Sequence, residues 1–214
     1  MTYTGKFITF EGGEGAGKTT VIQAVRAEFE RQGFEVIVTR EPGGTPIAEK
    51  IRQVILDVEH TEMAAKTEVL LYAAARAQHL SELVIPSLAA GKIVLCDRFV
   101  DSSLVYQAYA RDLGFDAVYT LNEYAIGTYW PQATILLDIT PEVGLKRVFS
   151  KRDASEINRL DQEAFSFHQA VYEGYHDLAK RFASRFKIID ASQPVENVIA
   201  DTLIEIERVL ADGQ

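Results

Sequence analysis

Short apolar runs alternate along the chain with longer stretches in which apolar positions recur every three or four residues. The first run, Lys6–Phe10, predicts a strand ending in Glu-Gly-Gly. Val21, Ile22, Val25 and Phe29 then fall at helical spacing between Lys18 and Gln32, with Gly33 as the stop. Glu35–Thr39 predicts a second strand and Pro42-Gly43-Gly44 a loop; Pro46 opens a helix through Ile47, Ile51, Val54 and Ile55. From Thr67 to Ala90 the pattern predicts one long helix, kinked at Pro86 and stopped at Gly91. Lys92–Asp97 reads as a buried strand ending in a carboxylate, with helical segments around Ser102–Ala110 and Ala117–Gly127 after it. Ala133–Asp138 is a fourth strand, and Pro141 opens a helix toward Arg152. A polar stretch, Asp153–Asn158, leads into a helix from about Asp161 to Phe182; Lys187–Asp190 and Val195–Leu210 give the last strand and helix.

Near-continuous apolar strands separated by helices imply an α/β fold, a five-stranded parallel sheet flanked by helices on both faces. Ligands in such folds bind at the carboxyl ends of the strands. No internal repeat, low-complexity tract or linker-like run divides the chain, so residues 1–214 are expected to form a single domain.

Composition narrows the class. The 214 residues carry 22 Lys+Arg against 31 Asp+Glu, a formal net charge of -9, which argues against a general binder of nucleic-acid polymers. It leaves room for one small phosphorylated ligand in a local basic pocket. Cys96 is the only cysteine, so there is no internal disulfide framework or cysteine-based zinc site, and a cytoplasmic setting is expected. The start has no basic-then-apolar leader, and no run approaches a bilayer span, so no membrane association is expected.

The segment Gly12-Gly13-Glu14-Gly15-Ala16-Gly17-Lys18-Thr19 matches G-x-x-x-x-G-K-[ST], between an apolar strand and an amphipathic helix. Glycines let successive backbone N–H groups turn inward as an anion nest, and the helix starting at Lys18 aims its positive dipole at the same point. Lys18 can bridge β- and γ-phosphates, the Thr19 hydroxyl can ligate Mg²⁺, and Thr20 follows in the same turn. This is a P-loop NTPase signature. Asp97, ending an apolar strand, sits where such proteins hold Mg²⁺; the alternative is an aspartate that merely caps the next turn.

Three classes of P-loop protein compete. A guanine-specific switch lacks support, because none of Asn122, Asn158 or Asn197 is followed by Lys. A motor ATPase finds little help in the acidic charge. A kinase of a small phosphorylated acceptor needs a second cationic site facing the first. Arg40, Arg52, Arg76 and Arg98 fall after strand ends or on the following helices, with Arg147, Lys151, Arg152 and Arg159 around the polar 153–158 segment. Singly, each arginine is better read as a solvated helix-face residue; as a set placed after strand ends they favour the kinase.

Several stretches resemble thymidylate kinases. They are Phe10-Glu-Gly-Gly-Glu-Gly-Ala-Gly-Lys-Thr-Thr20, Thr39-Arg-Glu-Pro-Gly-Gly-Thr45, Ala74-Ala-Arg-Ala-Gln-His79, Asp97-Arg-Phe-Val-Asp-Ser-Ser-Leu-Val-Tyr-Gln107 and Asn158-Arg-Leu-Asp-Gln-Glu163. The resemblance implies a nucleoside monophosphate kinase-like fold with a short lid at about 147–163, transfer of the γ-phosphoryl of ATP to dTMP, Mg²⁺ as cofactor and a homodimer. Long apolar helices at Thr67–Ala90 and after Asp101 could supply the dimer face or simply cover the sheet.

Carried over position by position, the resemblance implies that Arg98 binds the acceptor phosphate, Asp97 organises Mg²⁺, and Arg52 supports the same phosphate. Glu41 would lie near the acceptor's sugar and phosphate. Arg76 and Gln107 would hydrogen-bond the thymine edge, Tyr72 would stack on the ring, Ser103 would line the pocket for the methyl group, and Tyr106 would lie near the sugar C2′. On the residues alone, Tyr72 is equally a core residue and Gln107 an exposed helix residue. Arg147 would stack over adenine, opposite Gln193-Pro194-Val195. The chain departs from many members in having Phe99 after Asp97-Arg98, and Asn158 before Arg159. Some members carry a basic residue inside the P-loop; Glu14 and Ala16 supply none here, so the lid must, through Arg159 first or Arg152 second. The runner-up readings are another nucleoside monophosphate kinase and a P-loop ATPase without an acceptor.

Overall fold

The computed structural model describes residues 4–151 and 159–211. Its strands are β1 (Lys6–Glu11), β2 (Val36–Arg40), β3 (Ile93–Asp97), β4 (Ala133–Asp138) and β5 (Phe186–Asp190). They form one sheet in the order β2-β3-β1-β4-β5 with every neighbouring pair parallel, as the unbroken apolar runs predict. Register sets the site: Phe10 and Arg40 both lie level with Asp97, and Glu11 lies level with Leu136. The carboxyl ends of β1, β2 and β3 therefore present Glu11, Arg40 and Asp97 at one edge.

Successive side chains point to opposite faces of the sheet. On one face Ile8, Phe10, Leu95, Ile135 and Leu137 pack with Val21, Ile22, Val25 and Phe29 of α1 (Lys18–Arg31) and Val198 and Ile206 of α9 (Val195–Ala211). On the other, Phe7, Val94 and Leu136 meet residues of α3 (Ala65–His79), α4 (Ile85–Ala89), α5 (Val100–Ser103), α6 (Phe115–Ile126) and α8 (Phe165–Arg181). The remaining helices are α2 (Pro46–Leu56) and α7 (Pro141–Lys151).

Three predicted elements differ in form. The long helix expected over Thr67–Ala90 is α3, a π-helical turn Leu80–Val84, and α4, with Pro86 in the first turn of α4. Proline has no N–H to donate and its ring collides with a carbonyl one turn back, so the helix widens just before it. The Ser87 hydroxyl donates to the Leu83 carbonyl at 2.7 Å. A second π segment, Leu104–Ala110, continues α5, and the Arg111 N–H donates to the Tyr106 carbonyl across the wide turn at 3.0 Å. The helix expected from Asp161 starts at Phe165, because residues 159–162 form a turn that buries Leu160 and Asp161.

Beneath the sheet, Asp101 is fully buried and takes both guanidinium nitrogens of Arg185 at 2.6 Å. Thr134 donates to the same carboxylate at 3.0 Å and shares a hydrogen bond with Thr9. Arg185 also lies against Trp130, Phe182 and Phe186. Removing one member strands a buried charge, so Arg185→Ala should destabilise the fold by about 3–5 kcal/mol. Urea unfolding of wild type and variant would measure it, and a loss under about 1 kcal/mol would show that water replaces the arginine.

Candidate active site

A cavity of about 850 Å³ opens over the carboxyl ends of β1–β3. Its floor is the loop between β1 and α1. Glu14 to Thr20 line it, and Lys18, mostly buried, donates to the carbonyls of Gly12 (3.3 Å) and Gly13 (3.4 Å). Burial first, then the charge of Arg98, lowers the Lys18 pKa. Gly12 and Gly13 line a small adjoining cavity instead. At Gly15, φ is +71° and a Cβ would lie 2.1 Å from the Gly144 carbonyl oxygen; a Cβ on Gly144 would lie 2.2 Å from that of Glu14. Helix α7 therefore packs backbone to backbone against the loop, which brings Arg147 to its rim. Arg147 donates to the carbonyl of Ala191 at 3.3 Å and lines the cavity with Gln193 and Val195.

The turn after β3 is tied down by Glu11. This fully buried carboxylate accepts from the N–H groups of Phe99 (2.8 Å) and Ser102 (3.2 Å), the Ser102 hydroxyl (2.6 Å) and the Tyr175 hydroxyl of α8 (2.7 Å). Within that turn Arg98 adopts φ 66°, a left-handed conformation that costs a side-chain-bearing residue energy and persists only where neighbours impose it. Its guanidinium donates to Glu14 at 2.6 Å and to Ser102 and Tyr175 at 3.2 Å, and lies 5.0 Å from the Tyr106 ring centroid. Beside it, Asp97 Oδ1 is buried at the cavity wall with no hydrogen-bond partner among the described residues. Thr19, exposed on the first turn of α1, lines the same space.

Deeper in, Arg76 is almost wholly buried and spends four N–H groups on protein: Glu41 (2.7 Å), Ser103 (3.0 Å), the Phe99 carbonyl (3.0 Å) and Asn122. A guanidinium has five, so one remains. Glu41 also bonds His79 at 2.9 Å, and His79 bonds Thr39 at 2.7 Å. Gly44, with φ +83°, lets this pair approach, since a Cβ there would stand 2.6 Å from Thr39 Oγ1. Tyr72, Ser103, Tyr106 and Gln107 complete the wall, and Arg52 donates to the Pro42 carbonyl at 2.9 Å.

Nearly all the residues singled out from the sequence thus meet in one cavity. Arg159 does not line it: its guanidinium donates to Glu68 (2.5 Å) and the Ile55 carbonyl (3.1 Å), although its neighbour Leu160 does line it. Arg152 lies outside the described residues.

A family model for thymidylate kinase matches residues 10–202. The chain is 56% identical over 210 residues to a thymidylate kinase of Bacillus licheniformis, covering 98% of this chain and 99% of that one. It is 57% identical to one of Oceanobacillus iheyensis over 98% of this chain and 93% of the relative. A crystal structure of thymidylate kinase from Ehrlichia chaffeensis superposes with a TM-score of 0.75 at 28% identity, covering 95% of this chain and 98% of that one. The chain belongs to the thymidylate kinase family. It is a phosphotransferase with the P-loop NTPase fold, and ATP is its phosphate donor.

Against that membership, several side chains escaped the sequence reading. The P-loop motif places Glu14 with the phosphate cradle, yet its carboxylate turns onto Arg98 and the Tyr106 hydroxyl (3.0 Å). Glu11, His79 and Tyr175 act behind the wall. Glu68 was overlooked although Glu68, Tyr72 and Arg76 are spaced four apart and so share one face of α3.

Burial, then the neighbouring charge of Asp101, raises the Glu11 pKa from 4.5 to about 6, against the pull of Arg98. A folded-state value above the unfolded one means that the native state holds the proton more tightly. The contribution to stability is thus present below about pH 4.5 and lost as pH rises through about 6. Relative to Glu11→Gln, wild type should lose roughly 2 kcal/mol of unfolding free energy across that interval. Denaturant titrations of both proteins at several pH values check this, and a difference independent of pH would contradict it.

Proposed function

We infer that the chain transfers the γ-phosphoryl group of ATP to the 5′-phosphate of dTMP, giving dTDP and ADP, a step in supplying dTTP for DNA replication. The observation that carries this reading is that the phosphate cradle and the arginine-lined pocket share one cavity, with Lys18, Asp97 and Arg98 all on its wall. The acceptor phosphate is already an anion, so the reaction needs positioning and charge neutralisation more than a strong base. Lys18 and the P-loop amides take the transferring phosphate, with Arg147 against the adenine. Arg98 and Arg52 take the acceptor phosphate, and Glu41 lies at its sugar side. Tyr72 stacks on the thymine, Ser103 leaves room for its methyl group, Tyr106 lies at C2′, and Arg76 and Gln107 read the base edge.

Mg²⁺ would be held by Thr19, on the cavity wall, and Asp97, whose Oδ1 has no hydrogen-bond partner among the described residues. When bound, the metal neutralises charge on the β- and γ-phosphate oxygens. The lid, about residues 147–163 of a single domain, supplies a further cation, Arg159 first and Arg152 second. Leu70, Ile47 and Val54, exposed on α3 and α2, support a homodimer, which light scattering would test. The buried unpaired thiol of Cys96 suits a reducing cytoplasm, to be checked by cell fractionation.

Incubation with MgATP and each nucleoside monophosphate should give diphosphate from dTMP, with far less from dUMP. ADP formed without an acceptor would favour an ATPase. Lys18→Ala should abolish transfer. Arg159→Ala should lower kcat by about 10³-fold while leaving dTMP affinity nearly unchanged. Wild-type turnover in that variant, with a loss in Arg152→Ala, would move the lid role to Arg152.

A further inference from the structure

Glu68 lies on α3 behind the base pocket, almost wholly buried and not lining the cavity. Its two oxygens share Arg111 but differ in their nearest partner. Oε1 accepts from the Gln107 amide at 2.9 Å, with Arg111 Nε at 3.4 Å. Oε2 accepts from Arg159 at 2.5 Å, with a second Arg111 nitrogen at 3.4 Å. Burial alone would raise this carboxyl's pKa, but Gln107, Arg159 and Arg111 outweigh it and hold the group below its ordinary value.

An ionised carboxylate only accepts hydrogen bonds, so the group that Gln107 turns toward it must be the NH₂. The amide oxygen is left to the cavity wall and takes no hydrogen bond among the described residues. Thymine has a single ring donor, N3–H, flanked by two carbonyls; cytosine has a bare N3 beside an amino group. We propose that Glu68 is a specificity-determining positioning residue, fixing the Gln107 amide so that its oxygen accepts from N3–H and the pocket selects thymine over cytosine. This rests on the reading that Gln107 faces the base edge. The remaining N–H of Arg76 complements it by donating to a flanking carbonyl.

The two-sided environment of Glu68 makes the effect of one substitution definite. In Glu68→Gln the remaining carbonyl oxygen stays with Arg159, the closest donor, which can only donate, and the long Arg111 Nε contact on the other side is given up. The new NH₂ then occupies the position facing Gln107. Gln107 must turn over, accept with its oxygen and present its own NH₂ to the base, the arrangement that suits the N3 of cytosine. The probe pair is dTMP and 5-methyl-dCMP, which share the ring and the methyl group but differ at N3 and C4.

Wild type should favour dTMP in kcat/KM by about 10²-fold or more, since a mismatched base leaves buried polar groups unpaired. In Glu68→Gln the ratio should narrow at least about tenfold. Any change transmitted through Arg159 and the lid slows both nucleotides alike and cancels in the ratio. An unchanged ratio in a variant whose melting temperature shows it folded overturns the proposal. Wild-type turnover of dTMP without preference over 5-methyl-dCMP overturns it too, whether or not the variant folds, while leaving the kinase reading intact. Absence of dTMP turnover would sink both.

Discussion

A carboxylate taken out of water costs several kcal/mol unless donors replace the solvent it loses. Glu11 gains four: two backbone N–H groups and a hydroxyl from the segment after β3, and a hydroxyl from α8. Those bonds join the end of one central strand to the turn after its neighbour and to a helix from the far end of the chain. Glu11 is also the residue from which the phosphate loop departs. The same anchor therefore sets the distance between the phosphate cradle and Arg98. Arg98 stays in its left-handed conformation because the residue after it is held by Glu11 and its own N–H by the Phe10 carbonyl at 2.9 Å.

Around that anchor, several arginines meet carboxylates. Arg98 meets Glu14, Arg76 meets Glu41, and Arg111 meets both Glu68 and Glu163. Guanidinium groups held in planar contacts keep their direction before any ligand arrives, so little reorganisation is left for the reaction itself. The net charge of -9 takes on a local meaning here. Part of the acidic excess is the inner scaffold of the basic pocket, which keeps the arginines ordered without making the protein a general binder of polyanions.

The parallel sheet was legible because its strands are buried on both faces and so read as unbroken apolar runs, and the P-loop because its backbone chemistry demands glycine at fixed places. Asp97 and Arg98 followed from the end of a strand. The two π-helical segments were not legible, since widening a helix depends on what packs around it, although Pro86 marked where one helix could not continue regularly. The orientation of Glu14 could not be read from a motif that constrains its backbone and leaves its side chain to tertiary contacts. Glu68 was visible in principle: an acidic residue two turns before Arg76, on the face that carries Tyr72, is out of place on a core helix unless something inside receives it. The resting place of Arg159 depends on that same buried acid.

Glu68 also ties together two parts of the site that the sequence separates. Gln107 belongs to the segment after β3 and Arg159 to the turn before α8, yet both donate to one carboxylate on α3. Without Arg159, Oε2 would keep Arg111 at 3.4 Å, and a buried charge with a weakened partner is costly. Arg111 in turn contacts Glu163 at 2.5 Å, in the segment just before α8. The Gln107 amide is thus held by a carboxylate whose charge two arginines share, so its orientation rests on contacts from three separate parts of the chain.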